Sequence, residues 1–148
     1  SGLSPAHRDL LADRYRLPRP RLKLGRALVG IAHAMMDISD GLVADLHHIC
    51  ETSRVGAVVE AERLPLSPAA RAAISADGSL VMAVLAGGDD YELLFTAPAG
   101  TAEKIAAIAR EAKVQATAVG WIESGQEVTV RDGKGAPIPV TDGGYRHF

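Results

Sequence analysis

This chain has little of what marks secreted, membrane-spanning or nucleic-acid-coating proteins. One cysteine, Cys50, stands among 148 residues, so no intrachain disulfide can form, which suits a cytosolic protein. No apolar run approaches the about 20 residues that a membrane-spanning helix needs, and no secretory signal is visible. The net charge of −2 gives no reason to expect non-specific nucleic-acid binding. There is no internal repeat and no low-complexity tract. No Ser-His-Asp or Cys-His arrangement suggests an enzyme nucleophile. The expectation is a cytoplasmic protein with neither a membrane nor a nucleic acid as partner.

What is present is an ordinary globular composition, 47% apolar and 23% charged. The length fits one domain, large enough to bury about two-thirds of its unfolded surface. Basic residues are unevenly placed. Residues 1–26 hold Arg8, Arg14, Arg16, Arg19, Arg21, Lys23 and Arg26 against only Asp9 and Asp13. This segment is either a solvated connection or a basic wall that steadies a phosphate or a neighbouring domain. Pro18 and Pro20 break it into two pieces.

Helices and strands are interspersed. Ser4-Pro5 pairs a capping side chain with proline at the first helical position and predicts a helix to about Arg16. A second helical piece over 21–33 carries Leu24, Leu28 and Ile31 on one side. A strand over 34–38 leads into a helix over 41–54, whose Leu42, Leu46, Ile49 and Cys50 repeat at helical spacing. Cys50 on that stripe reads as a core thiol. Gly56 lies near the helix stop, and β-branched residues over 55–60 form a strand. Ser67-Pro68 opens a short helix to about Ala76, and the apolar residues 80–85 follow. Residues 91–96 make a strand, and 101–113 a helix with Ile105, Ile108, Ala109 and Ala112 inward. Strands at 115–122 and 127–131 flank the Ser124-Gly125 turn as a hairpin, and Pro137 and Pro139 mark an edge. The fold class is α/β (α+β), a layered sandwich with a mixed β-sheet covered by helices.

Chemistry concentrates in two turns. In Asp37-Ile38-Ser39-Asp40-Gly41-Leu42, two carboxylates and a hydroxyl sit where a strand ends and a helix begins. The unpaired N–H groups of the first helical turn attract anions there. Period two along the strand puts Asp37 and Ser39 on the same side. Mg²⁺ is held by one or two carboxylates plus phosphate oxygens and water, a demand that Asp37 and Asp40 together can meet. Alternatively, Asp40 is only an N-cap and Ser39 a turn residue. Asp45 serves a local role, pairing with a backbone group or with His48. His47 and His48 point about a hundred degrees apart on a helix and read as surface or boundary residues. The second turn is Gly87-Gly88-Asp89-Asp90-Tyr91-Glu92-Leu93-Leu94-Phe95, where a glycine pair allows close ligand approach.

Together, in this order and about fifty residues apart, the two motifs resemble thiamine-monophosphate kinases. The ending Gly144-Tyr145-Arg146-His147-Phe148 is also similar to that family's C-terminus. Aminoimidazole ribonucleotide synthetase, selenophosphate synthetase and a hydrogenase maturation protein belong to the same superfamily but differ at the first motif. The resemblance implies transfer of the γ-phosphoryl group of ATP to thiamine monophosphate with Mg²⁺, giving thiamine diphosphate. It assigns Asp37 and Asp40 to Mg²⁺, Ser39 to ATP, and Asp89 to a substrate-contacting acidic position where the family more often has Glu. Tyr145 falls either at an aromatic substrate contact or at an edge residue packing on the last strand. Trp121 has no firm counterpart, so core or edge packing is its default.

Family members are about twice this length. The chain therefore resembles their C-terminal domain, with residues 1–33 as a basic helical segment belonging to it and 34–148 as the substrate- and nucleotide-binding part. The resemblance implies that the ATP-binding N-terminal half is absent, that the full-length protein is a homodimer, and that this part alone is inactive. The alternative class is a non-catalytic module that binds a thiamine or nucleotide phosphate.

Overall fold

A computed structural model describes residues 4–17, 20–87 and 92–140. In chain order the elements are α1 (Pro5–Arg16), α2 (Leu22–Leu28), β1 (Ala34–Asp37), α3 (Leu42–Ser53), β2 (Gly56–Glu60), α4 (Pro68–Ala76), α5 (Leu80–Ala86), β3 (Leu93–Thr96), α6 (Ala102–Glu111), β4 (Gly120–Glu123), β5 (Val128–Arg131) and β6 (Pro137–Ile138). Local signals placed the helix starts well. Ser4 Oγ accepts the His7 N–H at 3.2 Å and Ser67 Oγ the Ala70 N–H at 3.1 Å, each with proline just inside the helix.

One helix boundary differs from expectation. The second helix stops at Leu28 rather than running to 33, because the chain turns at Gly30, whose φ is +79°. α3 closes where expected, at Arg54 in the left-handed region, and Gly56 two residues on opens β2.

β1 and β3 form an antiparallel two-stranded ribbon, with Met35 opposite Phe95 and Asp37 opposite Leu93. Alternation along the strands sends side chains to two faces. Met35, Leu93 and Phe95 pack with Leu24 and Leu28 of α2 and Ala109 of α6. Ala34, Met36 and Leu94 face the other way, into a core of Leu42, Leu46, Ile49 and Cys50 from α3 and Leu85 from α5. The same core takes Ala57 and Val59 of β2 and Val130 of β5. Helix α3 is thus packed between the ribbon and a second sheet, and the layers form a helix-covered sandwich. Leu28 and Leu85 are fully buried, so truncating either to alanine costs about 2–5 kcal/mol.

The second sheet has four strands in the order β4-β2-β5-β6 and is mixed: β2 runs antiparallel to β4 and parallel to β5. The hairpin expected between residues 115–122 and 127–131 is therefore corrected. β2 inserts between the two strands, and residues 124–127 carry the chain past its start. Gly56 makes that passage possible, since a Cβ there would stand 3.0 Å from the Glu127 carbonyl oxygen. β6, containing Pro137, is the edge strand expected from the prolines.

Candidate functional site

The first acidic turn connects β1 to α3. Asp37 ends the strand with an exposed side chain, Ile38 is buried, and Ser39 and Asp40 are half-buried. Gly41 occupies the helix cap position, with no side-chain cap bond, so Asp40 is not the N-cap that the sequence also allowed. Among the described residues the carboxylates of Asp37 and Asp40 accept no hydrogen bond.

Asp45, in the first turn of α3, is only 1% exposed. Its Oδ2 accepts the N–H of Ser39 at 2.9 Å and of Asp40 at 3.2 Å. A buried carboxylate needs such donors, and here they fold the turn back over the helix start. This is the local backbone role expected for Asp45. Ligand-capable atoms of Asp40, Asp45 and His48 also lie within 4.8 Å of one another, while Asp37 lies outside this group. His48 is exposed, as expected of a surface residue, yet one turn beyond Asp45 it reaches the acidic pair. The i, i+3 spacing of Asp45 and His48 underlies the pairing that the sequence offered as one of two roles for Asp45, while the approach of Asp40 to both was not foreseen.

The two motifs meet through backbone. Asp37 lies opposite Leu93, and one step further the Ile38 N–H donates to the Glu92 carbonyl oxygen at 2.9 Å. Gly41 lies against Ala86, the last residue of α5, and a Cβ at Gly87 would collide with the Ala83 carbonyl oxygen. Asp89 and Tyr145, the substrate-contact candidates, lie outside the described residues.

Sequence reasoning left Arg21 undifferentiated within a basic segment. In the structure its Nε and Nη2 donate to the two Glu92 carboxylate oxygens at 2.8 and 2.7 Å. The hydrogen bond to Glu92 raises the guanidinium pKa further above its ordinary value, outweighing partial burial. Trp121 takes the edge-packing default. It lies on β4, 45% exposed, with the Arg131 guanidinium carbon 5.9 Å from its ring centroid. Cys50 is a buried core thiol whose pKa burial pushes up.

The structure is a mixed-sheet α/β sandwich in which an acidic turn ending in glycine opens a helix. The chain belongs to the family described as AIR synthase related protein, C-terminal domain, which matches residues 4–133. It is 38% identical over 143 residues to the thiamine-monophosphate kinase of Haemophilus influenzae, covering 93% of this chain and 43% of that protein. It is 35% identical over 142 residues to the Escherichia coli enzyme of the same name, covering 95% and 43%. Among solved structures, thiamine-monophosphate kinase from Stenotrophomonas maltophilia K279a superposes with a TM-score of 0.81 at 40% identity, covering 88% of this chain and 41% of that one. AaThiL complexed with AMPPCP and TMP superposes at 0.76 with 30% identity, covering 100% and 44%. The chain thus spans less than half the length of these relatives.

Proposed function

We propose that this chain is the C-terminal domain of an ATP-dependent thiamine-monophosphate kinase, which phosphorylates thiamine monophosphate to thiamine diphosphate. The observation that carries the reading is the 38% identity, sustained over 93% of the chain, to a kinase of that name. The juxtaposed motifs and the relative complexed with AMPPCP and TMP support it. Residues 1–33 belong to the domain in this reading, since α2 packs on α6 and Arg21 bonds to Glu92.

The donor set fits Mg²⁺. Hard oxygen ligands are wanted, and Asp37 and Asp40 offer carboxylates without internal hydrogen bonds among the described residues. Those two residues would hold the ion, which when bound neutralises charge on the transferring phosphate and its leaving group. Ser39, between them, contacts ATP. The N–H groups at the start of α3 favour phosphate oxygens, and Asp45 keeps the turn folded by holding the N–H groups of Ser39 and Asp40. Asp89 and Tyr145 contact thiamine monophosphate, whose own phosphate oxygen attacks the γ-phosphorus directly. Positioning supplies the rate, and no covalent enzyme intermediate is required.

The full-length protein is a cytoplasmic homodimer in this reading, and the remaining ligands come from a part outside this chain. Assaying ATP-dependent thiamine diphosphate formation tests the proposal. The full-length protein turns over with Mg²⁺, while this polypeptide alone does not. No transfer by the full-length protein overturns the kinase assignment, and normal turnover by this polypeptide overturns the division of the site.

A further inference from the structure

We propose that Arg21 is a positioning residue for the acidic turn, acting through Glu92 on Asp37 and Asp40. The proposal rests on the phosphoryl-transfer reading above and adds a role for the basic segment that precedes the site.

The contact joins residues far apart in sequence. Arg21 caps α2, whereas Glu92 belongs to the second acidic motif and directly precedes β3. The guanidinium meets the carboxylate as a fork, Nε to Oε2 at 2.8 Å and Nη2 to Oε1 at 2.7 Å. The side chains are 22% and 40% exposed. An exposed single-bond ion pair contributes little, but a part-buried bidentate pair fixes orientation as well as distance.

Glu92 is held at its other end too. Its carbonyl oxygen accepts the Ile38 N–H at 2.9 Å, one residue past the last regular pair of the ribbon. Ile38 is buried, and its chain neighbours are Asp37 and Ser39. The path from Arg21 to the carboxylates is therefore short: guanidinium to Glu92 carboxylate, Glu92 carbonyl to Ile38 N–H, and Ile38 to Asp37 through one peptide. Asp45 restrains the helix side of the same turn through Ser39 and Asp40. The turn is thus braced from both sides, by Asp45 from α3 and by the Arg21–Glu92 pair from α2.

This distinguishes two uses of a basic residue beside a phosphate site. A free guanidinium clamps phosphate directly. Here a carboxylate occupies the fork and offsets its charge, so what the pair supplies is geometry. Two carboxylates that share one small cation need that geometry, because Mg²⁺ tolerates little departure from octahedral angles.

The test uses the full-length protein as wild type, Arg21→Gln, Arg21→Lys and the charge-swapped pair R21E/E92R. Amide exchange at Ile38 is followed without metal, and binding of Mg²⁺ alone is measured by calorimetry. The Mg²⁺ concentration required for phosphoryl transfer is measured alongside. In Arg21→Gln the Ile38 amide exchanges about tenfold faster, while the Ile49 and Cys50 amides in the core of α3 are unchanged. Mg²⁺ binds about tenfold more weakly and its requirement for transfer rises to match. Arg21→Lys recovers part of both effects, since a point charge replaces the fork, and the swap recovers more. Unchanged Ile38 exchange overturns the proposal, as does faster exchange with unchanged Mg²⁺ binding, which makes the pair structural only. Equal acceleration of the Ile49 and Cys50 amides overturns it as well. If the wild type performs no transfer while the exchange and binding effects appear, the kinase reading falls and the brace stands.

Discussion

Gly41 lies against the backbone of Ala86, so close that a Cβ at position 41 would stand 2.9 Å from both its carbonyl carbon and its oxygen. Gly41 opens α3 and Ala86 closes α5, so this contact joins the first acidic motif to the start of the second. Its φ of +117° and ψ of 150° belong to a region essentially reserved for glycine. Neither the contact nor the torsion tolerates a methyl group.

Gly41→Ala is therefore expected to destabilise the protein by about 3 kcal/mol, combining backbone strain with displacement of the α5 terminus. Chemical denaturation measures the loss. The same substitution at Gly100, where φ is +84° and no atom lies within 4 Å of the added Cβ, carries the strain without the clash. It should cost about 1 kcal/mol. Equal losses at the two positions would refute the packing argument.

Replacing Asp45 separates acceptor from charge. Asp45→Asn keeps an oxygen for the N–H groups of Ser39 and Asp40, and is expected to cost about 1–2 kcal/mol. Asp45→Ala leaves both donors without that partner and should cost about 3 kcal/mol. Urea unfolding of the two variants gives the comparison. An Asn variant as damaged as Ala would show that charge, not acceptance, fixes the turn.

How much of this was legible in the sequence depended on the range of the interaction involved. Ser4-Pro5 and Ser67-Pro68 announced their helices because a cap is settled within three residues. The stripe of Leu42, Leu46, Ile49 and Cys50 announced the core face of α3 in the same way. Residues 80–86 did not declare their type, since a wholly apolar run of seven carries no period. The misplaced hairpin has a different cause. Pairing of β2 with β4 and β5 spans more than sixty residues, and nothing local at 115–131 announces an inserted strand. In the site, Asp45 was readable as a local partner of the backbone. The Arg21–Glu92 pair was not, because 71 residues separate its members and seven basic residues shared the segment.

Cys50 sets a pH dependence. Burial raises its thiol pKa above the ordinary 9.0, so the native state keeps a proton that the unfolded chain gives up. The folded-state pKa is raised, so the stability it contributes is present below pH 9.0 and lost as pH climbs through the folded value. Denaturation midpoints of wild type should therefore fall more steeply above that pH than those of Cys50→Ala. In native protein at neutral pH the thiol should resist alkylation and react only as the chain unfolds. Rapid labelling without unfolding would contradict the core assignment.

Trp121 is the chain's one tryptophan and a ready probe of β4. Arg131→Gln removes the cation 5.9 Å from its ring and should change its emission intensity. Stability should fall by no more than about 1 kcal/mol, the range for an exposed cation–π pair. Since β4 and β5 are separated by β2, a larger loss would mean that the pair helps hold the sheet together across its intervening strand.

Asp37→Asn with Asp40→Asn tests the site most directly. Their carboxylates accept no hydrogen bond among the described residues, so neutralising both should leave the melting temperature of the full-length protein nearly unchanged or slightly raised. Phosphoryl transfer, in contrast, should fall by about a thousandfold, because the developing phosphate charge loses the cation that those residues would hold. Raising the Mg²⁺ concentration should recover little of it, since two ligands are lost rather than weakened. A double variant that keeps both its activity and its normal Mg²⁺ dependence would remove Asp37 and Asp40 from the chemistry and leave the turn a purely structural feature.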